Sequence, residues 1–135
     1  MKKGSIVNET KLHLPENKIL DCAEKVMQLH LDTPTDYTIV FVTPEKSKIL
    51  NNKYYGKNTA TDVLTFNEGD DYLGEIVICP SYIKESHPNT DEFYWELCHM
   101  AVHGMFHLVG LHHEEIEGGH EELHKKEIEI INEIF

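Results

Sequence analysis

Tyr37-Thr38-Ile39-Val40-Phe41-Val42-Thr43-Pro44-Glu45 passes from strand to helix within three residues. Its first six residues are β-branched or aromatic, which suits a pleated, half-buried strand. Thr43 is a helix N-cap, Pro44 a first helical residue with φ already set, and Glu45 an acid near the positive helix end. The helix that follows carries Ile49, Leu50 and Tyr54 and stops near Gly56. Upstream, residues 15–31 open on Pro15 and repeat Ile19, Leu20, Ala23, Val26, Met27 and His30 at helical spacing. Downstream, residues 62–66 and 73–79 read as strands around the turn Asn67-Glu68-Gly69-Asp70-Asp71, with Pro80 closing the second. Pro88-Asn89-Thr90-Asp91 leads into a long helix ending near Val109, where Gly110 suits a left-handed stop. A last amphipathic helix covers 119–134 with Leu123, Glu127, Ile130, Ile131 and Ile134. Helices interleaved with a few strands give an α+β fold, helices packed on a small mixed β-sheet. At 135 residues, one domain spanning 1–135 is expected.

Charge narrows the function. The net charge is −12, with nine lysines against eight acids in residues 1–67 and three against sixteen in 68–135. The chain has no arginine. A broad polyanion-binding surface is excluded, because affinity for nucleic acid needs clustered cations. Lys46, Lys48, Lys53 and Lys57, opposed only by Glu45, form the one cationic cluster. Cys22, Cys79 and Cys98 are odd in number and widely spaced, which excludes a disulfide framework and fits a reducing cytosol. The basic start lacks a following apolar core, and no apolar run approaches a membrane span. A cytoplasmic protein with no membrane association is therefore expected.

Seven of the ten histidines lie between residues 99 and 124. His99, His103 and His107 are spaced by four, so they share one helical stripe, beside the apolar Leu97, Cys98, Ala101, Val102, Met105 and Phe106. Two imidazoles one turn apart can converge on one metal ion. Gly110 then lets the chain reverse, and His112 or His113 can fold back as a third ligand, His113 being preferred. Three protein ligands leave a coordination position open, as catalytic metals require. His120 and His124 are expected on the surface of the last helix. Zinc peptidases of this spacing place a Glu after the first histidine; here Gly104 stands there and cannot accept a proton, which disfavours a peptidase. Glycine costs about 1 kcal/mol in mid-helix relative to alanine. A close approach of metal, substrate or backbone would explain it.

His103-Gly104-Met105-Phe106-His107-Leu108-Val109-Gly110-Leu111-His112-His113 resembles the H-G-x-L-H-L-x-G-Y-D-H signature of the YbeY endoribonucleases, the bacterial rRNA maturation factors. His99-Met100-Ala101-Val102, Leu50-Asn51-Asn52-Lys53-Tyr54, Thr61-Asp62-Val63-Leu64-Thr65-Phe66 and Leu73-Gly74-Glu75-Ile76-Val77-Ile78-Cys79 resemble further segments of that family, in order, from about residue 37 onward. The resemblance implies one divalent ion, zinc by preference, held by His103, His107 and His113. It implies a single-strand-specific endoribonuclease acting on rRNA of the small ribosomal subunit, in late 16S 3′-end maturation and ribosome quality control. A cleft between the metal helix and the sheet would receive the RNA.

The sequence departs from the family pattern at Tyr55, where an arginine is usual, and at Ala60, Phe106 and His112. Lysine approximates arginine's bidentate phosphate contact without its fork. Lys53 or Lys57 would supply charge, and Tyr55 could stack on a base. The residues expected at the chemical step are His103, as a ligand, and Asp62, to orient water or a ligand histidine, with Glu75 a weaker candidate. The RNA surface is expected along Lys46, Lys48, Lys53, Tyr55 and Lys57. The alternative reading is a non-catalytic ribosome-biogenesis binder that keeps the metal for structure; a metallohydrolase of another substrate is a third.

Overall fold

The computed structural model describes residues 3–69, 71–110 and 119–135. Among them the element order is β1 (Gly4–Asn8), α1 (Glu16–His30), β2 (Asp36–Phe41), α2 (Pro44–Tyr55), β3 (Val63–Asn67), β4 (Tyr72–Ile78), α3 (Pro80–Ser86), α4 (Thr90–Leu108) and α5 (Gly119–Ile134). The four strands form one sheet in the order β1-β2-β4-β3. β1, β2 and β4 run parallel, and β3 pairs antiparallel with β4 at the edge. The expected α+β class, with helices on a small mixed sheet, is what the chain adopts.

The capping chemistry acts as read. The Thr43 hydroxyl accepts the Lys46 N–H, and Gly56 ends α2 at φ 71°, a left-handed conformation that costs glycine no steric penalty. Asn89, read only as part of the lead-in to α4, also caps it, its side chain accepting the N–H groups of Asp91 and Glu92. Two elements were not foreseen. β1 is a short edge strand paired with residues 37–41, far along the chain. Pro80, expected to close a strand, is also the first residue of α3, where its missing N–H costs nothing.

The sheet has two unequal faces. Tyr37, Ile39 and Phe41 of β2 alternate toward the helices and join Ile76 and Ile78 in the main core. α1 and α4 bring Ile19, Cys22, Ala23, Val26 and Leu97, Cys98, Ala101, Val102, Met105, Phe106 to that core. The opposite face carries a smaller cluster of Val42, Leu64, Val77 and Cys79, on which Leu50 of α2 packs. All three cysteines are buried free thiols.

Gly104 shows why α4 lies where it does. A Cβ at this position would stand 2.6 Å from Ile76 Cγ2 and 3.3 Å from Thr65 Cγ2. The close approach expected at this glycine is therefore that of the helix to the sheet. Gly104→Ala is expected to destabilise the protein by about 1–3 kcal/mol through overpacking, although alanine is the better helix former. Urea unfolding measures it; an unchanged or raised midpoint would show that Ile76 moves aside freely.

Candidate active site

The close seating of α4 carries its histidine stripe to the sheet edge. Asn67, at the end of β3, donates from Nδ2 to the Leu108 carbonyl at 3.3 Å and ties the strand to the end of the helix. Between α4, β3 and the C-terminal end of α2 lies a cleft of about 440 Å³. His103 and His107 line it, with Tyr55 and Lys57 on the α2 side and Thr61, Thr65 and Asn67 along the strand. Two buried polar residues hold the α2 side in place. Asn51 Nδ2 donates to the Thr59 carbonyl, and the Ser47 hydroxyl is bonded to both the carbonyl and the N–H of Thr61.

His103 and His107 present their Nε2 atoms to each other at 3.3 Å. Two nitrogens bound about 2.05 Å from a tetrahedral ion stand about 3.3 Å apart, so the pair has the spacing of two zinc ligands. Behind His103, its Nδ1 lies 2.9 Å from Glu127 Oε2. A proton held on Nδ1 by that carboxylate leaves the Nε2 lone pair facing His107. This carboxylate–histidine relay is the usual support of a metal-bound imidazole. The residues present thus fit a divalent ion of zinc's kind. His112 and His113, the candidates for a third ligand, lie outside the described residues.

Glu127 is the functional residue that sequence reasoning missed. It is 1 % exposed on α5 and faces three imidazoles. Besides His103, His99 Nε2 is 3.1 Å from Oε1, and His124 Nδ1 is 3.5 Å from the same oxygen. Burial pushes the Glu127 carboxyl up, but the hydrogen bonds from His103 and His99 outweigh it and hold the group well below the usual carboxylate range. Burial likewise lowers the His99 imidazole. Its bond to Glu127 and the nearby Glu96 carboxylate outweigh that and raise it to about 9. Glu127 occurs on the buried stripe of its helix with Leu123, Ile130 and Ile131, and a carboxylate on such a stripe was the available signal. His99, His124 and Glu127 each offer a ligand atom within 4.8 Å of the others, a group that could hold a metal ion.

The remaining expected residues are dispersed. The Asp62 carboxylate accepts the Val63 N–H at 2.8 Å and the Thr61 hydroxyl at 3.3 Å, so it shapes the entry to β3. Glu75 and Lys46 border a groove on the opposite sheet face. Lys53 Nζ sits 5.1 Å from the ring centre of Tyr54, and Lys48 is exposed on α2. Tyr55, in the position of the expected arginine, donates its hydroxyl to the Thr65 carbonyl across the cleft at 2.9 Å.

The α+β scaffold sets convergent histidines beside an open cleft, an arrangement whose donor groups could hold a metal ion. A family model for endoribonuclease YbeY matches residues 4–135. An endoribonuclease YbeY of Petrotoga mobilis is 33% identical over 137 residues, covering 98% of this chain and 93% of that protein. One from Bdellovibrio bacteriovorus is 39% identical over 84 residues, covering 61% and 56%. The solution structure of TM1509 from Thermotoga maritima superposes with a TM-score of 0.70 at 26% identity, covering 97% of this chain and 88% of that one. The chain belongs to the endoribonuclease YbeY family, a family of hydrolases acting on RNA.

Proposed function

We propose that the protein is a metal-dependent endoribonuclease that cleaves single-stranded RNA in the cleft over His103 and His107. The carrying observation is the 3.3 Å approach of the two Nε2 atoms on the wall of that cleft. His113 is assigned as the third ligand, and zinc as the ion that the imidazoles suit. When bound by these imidazoles, such an ion would supply a water acidified toward neutral pH. Glu127 holds the His103 tautomer. Lys57 offers a cation to the RNA backbone from the cleft wall, and Lys48 and Lys53 extend the cationic path outside it. Tyr55 replaces the arginine's bidentate phosphate grip with an aromatic face at the cleft, and its hydroxyl bond to Thr65 fixes the ring. Asp62 acts as a positioning residue through the Thr61–Val63 turn. The substrate is the rRNA of the small ribosomal subunit, in 16S 3′-end maturation and quality control, and the protein works in the cytoplasm as one domain. Among the described residues, no helix is long and apolar enough to cross a membrane.

The test is cleavage of a single-stranded RNA oligonucleotide by the protein as purified, after chelation, and after zinc is restored. Cleavage should disappear with chelation and return with zinc. RNA binding without cleavage in all three states would move the non-catalytic binder ahead.

A further inference from the structure

The geometry points to a second divalent transition-metal site, built from His99, His124 and Glu127 and separate from the His103–His107 pair. The two assemblies use opposite sides of the His103 ring. His103 Nε2 faces His107 and the cleft, whereas its Nδ1 faces Glu127. Glu127 divides its oxygens accordingly: Oε2 supports His103, and Oε1 lies 3.1 Å from His99 Nε2 and 3.5 Å from His124 Nδ1. Both separations lie close to the roughly 3.3 Å edge of a tetrahedral zinc coordination sphere.

The surroundings of His99 favour a ligand role. Its Nδ1 is buried with no hydrogen-bond partner among the described residues. The nearest carboxylate, Glu96 Oε2, is 3.5 Å away. Binding an ion would displace the Nε2 proton that faces Glu127, while the Nδ1 proton stays attracted by Glu96, the arrangement that supports a metal-bound imidazole. His124 is about half exposed and gives an ion a route from solvent to the buried carboxylate. Two imidazoles and one carboxylate suit zinc, cobalt or nickel, whereas magnesium and calcium prefer oxygen-only sets. The second site requires no RNA chemistry, so it stands apart from the nuclease reading.

The experiment uses the full chain, stripped with chelator, desalted and titrated with zinc, with metal content and calorimetric stoichiometry as readouts. Wild type should take two zinc ions per chain. His124→Gln removes a ligand from an exposed side chain and should take one, with the thermal midpoint of the metal-free protein unchanged. His107→Ala should also take one, and the double variant none. A single ion in wild type that His124→Gln retains would overturn the proposal. So would two ions retained by His124→Gln, or the loss of both from it. RNA cleavage is not a readout, so a failed nuclease assay leaves this result intact.

Discussion

Glu127→Ala is expected to destabilise the metal-free protein by about 3 kcal/mol at pH 6, at the low end of the cost of breaking a buried ion pair. The Glu127 carboxylate is 1 % exposed and serves His99 and His103 together. Its removal leaves the buried imidazolium of His99 with the more distant Glu96 carboxylate, and loss of its proton limits the damage further. The pH dependence follows from the two shifts. The depressed Glu127 carboxyl contributes fully above its ordinary 4.5, and that contribution is lost as the pH falls through its folded value. The His99 imidazole, raised from 6.5 to about 9, contributes fully below 6.5 and loses its contribution as the pH rises through 9. The stability gap between wild type and variant should therefore be widest between pH 4.5 and 6.5, and narrower at pH 9. Urea unfolding of chelator-treated proteins across that range measures it. A gap constant from pH 5 to pH 9 would show that the cost is a packing defect without an electrostatic part.

The contrast between what could be read from the chain and what could not follows from the range of the interactions. Thr43, Gly56 and the histidine spacing act within one helical turn, and each appears in the structure as read. β1 depends on partners more than thirty residues away, and its five residues, with Gly4, Ser5 and Asn8 among them, carry little strand propensity of their own. α3 is a single short helix with only Pro80 and Ile83 buried. Gly104 was read as a place of close approach, but the neighbour that needs it, Ile76, is met only when the sheet is assembled. The lysine cluster is contiguous in sequence, yet folding places Lys57 on the cleft and Lys46 beside the opposite groove. A run of charge predicts a field; the turn and helix around it decide which surface receives that field.

His107→Ala should have the opposite character to Glu127→Ala, losing function while keeping the fold. His107 stands on the cleft side of α4, only partly buried, with its ring against the imidazole of His103. Alanine is the better helix former, and the core below is made by Met105, Phe106 and Leu108. The metal-free variant should unfold within about 1 kcal/mol of metal-free wild type, as for most substitutions away from the core. Zinc binding should fall by one equivalent, because one imidazole cannot replace two convergent ligands. Cleavage of single-stranded RNA should fall to background, since the proposed mechanism needs the ion's acidified water. Metal analysis, unfolding and cleavage on the same preparation separate the outcomes. Full zinc content in this variant would remove the His103–His107 centre. Lost zinc with undiminished cleavage would keep the centre and make its ion structural.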